Sequence, residues 1–237
     1  MNVSISYYTA RGSRDQNEDA VSILEGKHGL LALVADGLGG LRRGEEASSR
    51  AVQTLNHCLQ DAAPSRKGLE EAICQAHEEI RALQTTGGRS ATTLAALWLD
   101  KLCFAAHVGD SRIYQLRDGQ ILYQSTDHSV AQMAVLAGEI TPDQIRTSPE
   151  RNRLIRVLGN ENCPRIDLVS LEVQPGDRLI LCSDGFWNPV TEEDMLRTAA
   201  GSKDARQWLQ AMREIIDQAN DPQQDNHTAI VLVVHHE

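Results

Sequence analysis

Acidic residues in five short polar motifs are spread over almost the whole chain. The motifs are Asn17-Glu18-Asp19, Ala35-Asp36-Gly37, Gly109-Asp110-Ser111, Ser183-Asp184-Gly185 and Asp225-Asn226. Three of them follow or end a short apolar run that is typical of a buried strand. Because strand ends are where a fold delivers side chains to a shared site, we expect these carboxylates to lie close together.

Carboxylates gathered in this way require a cation. Several ionised carboxylates in a partly dry cleft repel one another, and they stay charged only where cations compensate them. Oxygen ligands without nearby histidine or cysteine favour magnesium or manganese over zinc or copper. Asp-Gly and Asp-Asn are each also typical of ordinary turns, but their repetition at element ends favours one shared site. The sequence therefore predicts a Mn²⁺ or Mg²⁺ centre.

The elements that must position these acids are predicted to be strands in a run, with pairs of helices outside them. Predicted strands cover 3–9, 30–35, 91–99, 102–108, 112–116, 120–123, 168–173, 178–182 and 228–234. Helical spacing indicates helices from Gly44 to before Pro64, over 69–83 up to Gly87-Gly88, over 129–137, after Thr191 and over 205–215. This order predicts an α+β fold, a sheet-centred sandwich covered by helices.

The segment 129–160 departs from this pattern. It holds a short helix and then a polar stretch with four arginines, Arg146, Arg151, Arg153 and Arg156. Such a segment inside a compact domain is typical of a lid or binding excursion. The arginines are equally consistent with an ordinary solvated face and with a surface that receives phosphopeptides.

Composition bounds the class of protein and its partners. A chain of 237 residues with 41% apolar content can bury one sizeable core, and no linker divides it, so we predict one domain over 1–237. The formal net charge of -10 without a basic block disfavours nucleic acid and anionic membranes as partners. A protein or small-molecule substrate is favoured.

The cysteines and the N-terminus predict a cytoplasmic protein. The five cysteines are odd in number and widely spaced, mostly within apolar stretches, and are interpreted as reduced core residues: Cys58, Cys74, Cys103, Cys163 and Cys182. Residues 1–10 lack a basic segment followed by an apolar one, and the longest apolar runs are far too short to cross a membrane.

Taken together and in order, the motifs resemble those of the metal-dependent serine/threonine phosphatases, the protein phosphatase type 2C family in its bacterial form. The resemblance covers nearly the full length. It is carried by 14–19 (RDQNED), 34–40 (VADGLGG) with Gly44-Glu45 and Ala47-Ser48, 107–112 (HVGDSR), 127–129 (DHS), 181–185 (LCSDG) and 225–228 (DNHT). It implies a four-layer α/β/β/α sandwich with two central antiparallel sheets, in which 129–160 is a flap.

The resemblance also implies roles for individual residues. Asp36 would bridge two Mn²⁺ or Mg²⁺ ions, and the Gly37 carbonyl with the Glu18/Asp19 pair would complete one of them; which of the two acids binds directly is left open. Asp184 and Asp225 would hold the second ion, and Asp110 would help to bind a third, weaker one. Arg14 matches the arginine that grips the substrate phosphate, a role that its planar fork suits. Leu38 stands where many eukaryotic members have a histidine proposed as general acid, so that role is unassigned.

The implied activity is hydrolysis of phosphoserine and phosphothreonine in proteins by water activated between the two ions, in opposition to a Hanks-type serine/threonine kinase. Two alternatives stay open: a phosphatase of a partner-switching regulator, and a catalytically silent metal-binding signalling module. The motifs of thiol-dependent and aspartyl-phosphate phosphatases, acyl hydrolases and nucleotide phosphate-binding loops are absent from the sequence. His107 and His128 are interpreted as hydrogen-bonding neighbours of the site rather than ligands.

Overall fold

The computed structural model describes residues 2–38, 43–84, 90–160 and 162–236. Gly39 and Gly40 of the second motif, and the helix boundary predicted at Gly87-Gly88, lie outside the described residues. The first part of the chain forms three strands and then two helices, namely β1 (Asn2–Ala10), β2 (Asp19–Gly26), β3 (Gly29–Leu38), α1 (Arg43–Leu59) and α2 (Arg66–Leu83).

The remaining elements run from the middle of the chain to its end. The middle strands are β4 (Ala91–Thr92), β5 (Leu94–Leu99), β6 (Cys103–Val108), β7 (Arg112–Arg117) and β8 (Gln120–Gln124). They are followed by α3 (Val130–Leu136), a 3₁₀ helix (Pro142–Thr147), β9 (Asp167–Leu171), β10 (Arg178–Cys182), α4 (Asp184–Trp187), α5 (Glu192–Ala200), α6 (Ala205–Ala219) and β11 (His227–His235).

Two antiparallel sheets form the centre of the molecule. One has the strand order β1-β11-β10-β7-β8, and the other has the order β2-β3-β5-β6-β9 with β4 paired beside β3. Helices α1 and α2 pack on the second sheet, whereas α5 and α6 pack on the first. The α+β prediction of a four-layer α/β/β/α sandwich is confirmed.

Strand β3 has a continuous apolar sequence rather than an alternating one because both of its faces are covered. Its odd residues, such as Leu31 and Leu33, face the α1 and α2 layer, while Ala32 and Val34 face the space between the sheets. Because successive side chains point to opposite faces, a strand covered on both faces needs apolar residues at every position. Full burial of a leucine such as Leu33 contributes about 1.5–3 kcal/mol.

The predicted elements are found close to their expected positions, with one strand missed. The Asp118-Gly119 turn joins β7 and β8, with Asp118 at φ 51°, and Ser129 and Thr191 are the N-caps of α3 and α5. Strand β2 was not predicted, because most of its residues are only half-buried and it lies at a sheet edge. In the described part of the chain, no helix is both long and apolar enough to cross a membrane.

The segment between β8 and β9 lies beside the acidic motifs. It contains α3 and the 3₁₀ helix, and it is tied down by backbone bridges between Ser129 and Leu154 and between Thr92 and Leu158. Three of the four arginines in 129–160 form ion pairs: Arg146 with Glu192, Arg153 with Glu150, and Arg156 with Asp167. These ion pairs neutralise most of the positive charge of 129–160 with carboxylates of the same chain. Its action as a flap stays a prediction.

Candidate metal centre

Strand pairing brings the acidic motifs to one edge of the sandwich. In the second sheet, Asp19 at the start of β2 pairs with Asp36 near the end of β3. In the first sheet, β10 ends at Cys182, just before Asp184, and its neighbour β11 begins at His227, just after Asp225. Neighbouring antiparallel strands alternate in direction, so the end of one strand meets the start of the next. These residues are far apart in the sequence but therefore lie close together in the fold.

The acidic side chains surround a cavity of about 710 Å³ at this edge. Its described lining includes Leu38 and seven predicted site residues: Arg14, Glu18, Asp36, Gly37, Asp110, Asp184 and Asp225. Asn152 and Leu154 of the 129–160 segment also line it. These two residues were not singled out from the sequence, where their position in the lid-like segment was the available signal.

Burial and mutual repulsion raise the pKa values of the central carboxyls. The pKa of Asp36 lies well above its ordinary value because the carboxyl is buried and faces other acids, Asp19 first among them. The pKa of Asp110 is also raised strongly by burial and by Asp184. Burial and Asp225 raise the pKa of Asp184 to about 6. Among the described residues, burial and repulsion outweigh the positive charge near these acids, which is the condition that a bound cation relieves.

Glu18 and Asp19 take different positions although they are adjacent. Glu18 lines the cavity, and its carboxylate accepts a hydrogen bond from the Gly44 N–H at the start of α1. Asp19 accepts a 2.8 Å hydrogen bond from Ser183 at Oδ2, while its buried Oδ1 has no hydrogen-bond partner among the described residues. Burial raises the pKa of Asp19 to about 7. A buried carboxylate oxygen without a donor fits an added hard cation, which prefers oxygen ligands.

The backbone around Asp36 and Gly37 is held by close contacts between elements. The Asp36 N–H donates to Thr93 Oγ1 at 3.0 Å, and the Gly37 N–H donates to the Glu18 carbonyl at 3.1 Å. A Cβ at Gly37 would lie 2.1 Å from the carbonyl oxygen of Gly44. Only glycine permits this approach of β3 to α1, which leaves the Gly37 backbone beside the cavity.

Arg14 is the cationic residue among the predicted site residues. Its guanidinium Nη2 donates to Asp225 Oδ2 at 2.7 Å, and more than half of the side chain is exposed. The hydrogen bond and the charge of Asp225 raise the pKa of Arg14 above its ordinary value. The loop behind it is fixed by Asn226, whose amide Oδ1 accepts from the Glu18 N–H at 2.8 Å. An exposed, permanently charged fork thus lies at the cavity mouth.

His107 and His128 lie behind Asp110 and form a second cluster with Asp167. Their rings are stacked with centroids 4.6 Å apart, and Arg156 Nη1 lies 3.1 Å from His128 Nε2 and 3.2 Å from Asp167. The stacked rings of His107 and His128 direct their nitrogen lone pairs along parallel planes rather than toward one point. The Arg156 guanidinium already compensates the charge of the Asp167 carboxylate. His128 exchanges hydrogen bonds with the backbone of Gly109, so this cluster positions the Asp110 loop.

Known proteins are similar to this chain in both sequence and fold. A family model described as Protein phosphatase 2C matches residues 8–229. The chain belongs to the protein phosphatase 2C family. The serine/threonine phosphatase stp of Listeria monocytogenes serotype 4b is 32% identical over 201 residues, which cover 80% of each chain. As a family member, the protein is a metal-dependent serine/threonine phosphatase of the bacterial type.

Solved structures of family members have the same architecture. The Mycobacterium tuberculosis serine/threonine phosphatase PstP/Ppp has a TM-score of 0.85 at 31% identity, and the match covers 99% of both chains. The catalytic domain of PstP in complex with two manganese ions has a TM-score of 0.81 at 29% identity, and the match covers 99% of this chain and 100% of that one. Manganese binding is therefore a property of a close structural neighbour of this phosphatase.

Proposed function

We propose that the carboxylates around the cavity hold two Mn²⁺ or Mg²⁺ ions and that phosphoserine and phosphothreonine esters of proteins are hydrolysed there. The observation that carries this proposal is the convergence of acids from both sheets, whose burial and repulsion raise the pKa values of Asp19, Asp36, Asp110 and Asp184. Such a cluster is stable in its ionised form only with compensating cations.

The proposed ligand assignment is the one that the family resemblance implies, and the lining of the cavity supports it. Asp36 lies between the acids of the two sheets and is proposed as the bridging ligand. Glu18 faces the cavity and is proposed, with the Gly37 carbonyl, for one ion, while Asp19 supports that ion from the buried side. The second ion is assigned to Asp184 and Asp225. Asp110, which also lines the cavity, is assigned to a third, weaker ion.

When bound, two ions would supply a water of lowered pKa as nucleophile and would neutralise charge on the phosphoryl oxygens. The chain supplies orientation: the Arg14 fork binds two oxygens of the phosphate at the cavity mouth. Ser183 and Thr93 hold Asp19 and the Asp36 backbone in place. Leu38 lines the cavity without a titratable group, so it offers no proton to the leaving oxygen.

The flap, the domain organisation and the cellular setting belong to the same proposal. We assign 1–237 to one catalytic domain, with 129–160 as a flap that contributes Asn152 and Leu154 to the cavity wall. The substrates are phosphoproteins of a Hanks-type serine/threonine kinase pathway in the cytoplasm. The names of the relatives, which are serine/threonine phosphatases, support the substrate class.

Hydrolysis of p-nitrophenyl phosphate and of a phosphothreonine peptide tests the proposal. Chelator-treated enzyme is expected to be inactive, and added Mn²⁺ or Mg²⁺ restores turnover of both substrates, whereas Ca²⁺ with its looser geometry restores far less. Absence of hydrolysis with either metal, in protein that binds the metal, would support the silent signalling module instead.

A further inference from the structure

Two cysteines that are 89 positions apart in the sequence meet at the surface of the fold. Cys74 lies on α2, and Cys163 lies in the segment that leads from the predicted flap into β9. Their Sγ atoms are 3.6 Å apart, and both thiols are free. Cys163 is exposed and Cys74 is half-buried, so reagents in solution reach the pair.

The other three cysteines have no such arrangement. Cys103 is buried between the two sheets, and Cys182 is buried in the core beneath α5 and α6, as the sequence predicted. Cys58 lies on α1, where its thiol donates to Gln75 Oε1 at 3.3 Å. The interpretation of all five cysteines as core residues is therefore wrong for Cys163, which is exposed, and holds only in part for the half-buried Cys58 and Cys74.

We propose that Cys74 and Cys163 are a thiol–disulfide modification site, which low-mass disulfides oxidise to an intramolecular disulfide that joins α2 to the segment following the flap. A disulfide has an S–S distance of about 2.0 Å, so the sulfurs must approach by roughly 1.5 Å. Rotation of an exposed side chain in a loop supplies a movement of that size. Disulfides of reducing compartments are usually transient and redox-sensing, which fits an exposed pair rather than a core bridge.

The reaction has two exchange steps. The Cys163 thiolate, as the exposed member, attacks one sulfur of an oxidised low-mass thiol, RSSR, and one RS⁻ leaves. The Cys74 thiolate then attacks the Cys163 sulfur of the mixed disulfide, and the second RS⁻ leaves. RSSR is reduced to two RSH, which take the two protons lost by Cys74 and Cys163, and the two cysteines are oxidised to one disulfide.

The surroundings of Cys74 assign it the resolving role. Burial, the neighbouring Cys163 thiol, and the carboxylates of Glu70 and Glu78 raise the pKa of Cys74 to about 11. A thiol that is rarely ionised reacts slowly with a reagent from solution, but it reacts readily with a sulfur held beside it. We therefore assign the attack on the reagent to Cys163 and the second, internal attack to Cys74.

The disulfide restrains the point where the 129–160 segment joins β9. Cys163 lines a surface cavity of about 470 Å³ together with Ile155, Arg156 and Val157 of that segment, and with Gln84 just after α2. A bridge between Cys74 and Cys163 closes a long loop of the unfolded chain, which lowers the entropy of the unfolded state. The expected increase in Tm is about 5–10 °C for a protein of this size.

Non-reducing peptide mapping after treatment with oxidised glutathione tests the proposal. The wild-type protein is expected to give one linked peptide that contains Cys74 and Cys163, together with a Tm increase that dithiothreitol reverses. The Cys74→Ser variant is expected to stop at a stable glutathione adduct on Cys163, and Cys163→Ser to lose the linked peptide. The Cys58→Ser variant, which alters a half-buried cysteine on the adjacent helix, is the control and keeps both the link and the Tm increase.

Three results would overturn the inference. One is a wild-type protein in which Cys163 holds glutathione and Cys74 stays a free thiol. Another is linkage through Cys58, or between two molecules, in place of the internal Cys74–Cys163 bond. The third is formation of the Cys74–Cys163 disulfide with no rise in Tm, which would contradict the expected stabilisation of the folded protein by this bond. None of these readouts depends on phosphatase activity.

Discussion

Asp36 is the residue at which the opposing demands of stability and function are greatest. Its carboxyl is buried among Asp19, Asp184, Asp110 and Asp225, all of which raise its pKa. In the absence of cations this arrangement opposes folding, because a buried acid must stay protonated or be repelled. In the proposed function, the same charge holds cations in the cavity.

We expect Asp36→Asn to separate the destabilising effect of the buried charge from its proposed role in binding cations. Turnover of p-nitrophenyl phosphate with Mn²⁺ should fall by on the order of 10³-fold or more, because the variant lacks the charge proposed to bridge both ions. The Tm of the metal-free variant should be equal to or above that of the wild type, and the increase in Tm on addition of Mn²⁺ should be lost or strongly reduced. Steady-state kinetics and calorimetry with and without chelator measure these quantities.

The matched control is Asp118→Asn, which makes the same chemical change at an exposed hairpin position with φ 51°. Asparagine tolerates that conformation well, so both the activity and the response to Mn²⁺ should match those of the wild type. Wild-type turnover in Asp36→Asn would remove Asp36 from the proposed bridging position.

Arg14 is expected to act mainly in substrate binding. Arg14→Ala should raise KM for a phosphothreonine peptide by about 10-fold or more, because a bidentate charge-assisted contact to the phosphate is lost, with a smaller effect on kcat. Arg14→Lys should recover part of the affinity as a point charge. Arg11→Ala alters an exposed arginine whose guanidinium makes only a 3.4 Å contact to the Asp15 carbonyl, and it should leave KM unchanged. A KM for Arg14→Ala equal to that of the wild type would exclude the phosphate role.

At the scale of elements, the loops that connect strands carry the supporting interactions of the site. The β6–β7 connection holds Asp110, and its Gly109 N–H donates to His128 Nδ1 at 3.1 Å from the start of the 129–160 segment. Burial, His107 and Arg156 lower the pKa of His128 to about 4, and Asp167 opposes this shift. His128 therefore stays neutral in the folded protein at neutral pH.

The lowered pKa of His128 predicts a loss of folding stability on acidification. The unfolded chain binds a proton at His128 below about pH 6.5, whereas the folded protein binds it only near pH 4, so stability falls as pH decreases through this window. His128 should contribute a loss of about 2 kcal/mol in the free energy of unfolding between pH 7 and pH 5. Urea unfolding of chelator-treated protein at the two pH values measures it.

The comparison of two variants isolates the histidine from the acidic cluster, whose pKa values also depend on the fold. His128→Gln should be less sensitive to this change in pH than the wild type by that amount. His57→Gln changes an exposed histidine near the end of α1 and should retain the wild-type dependence. Equal pH dependence in His128→Gln and the wild type would show that His128 titrates alike in the folded and unfolded states.

The elements also show where sequence reasoning reaches its limit. Strands β3 and β11, which are mostly buried, are continuous apolar runs, and the Asp118-Gly119 turn signal fixes the ends of β7 and β8, so these elements were predictable. Strand β2 has polar residues at half-buried positions and was missed, because its pairing with β3 rather than its own composition makes it a strand. Long-range pairing leaves no local signal.

At the scale of the whole molecule, the sandwich brings residues from 14 to 225 to one edge. The motif pattern predicted most of this centre, because each acid stands at a strand end and strand ends converge. It did not predict that Ser183 holds Asp19, that Asn152 lines the cavity, or that Cys74 meets Cys163. These contacts depend on the relative placement of layers, which side-chain type and spacing do not encode.

Anomalous diffraction from crystals of the active enzyme soaked in Mn²⁺ tests the central claim most directly. The expected map has two strong manganese peaks in the cavity, with Asp36 in contact with both, one near Glu18 and the Gly37 carbonyl and the other near Asp184 and Asp225. Manganese peaks outside this carboxylate cluster, in crystals that hydrolyse p-nitrophenyl phosphate, would contradict the account.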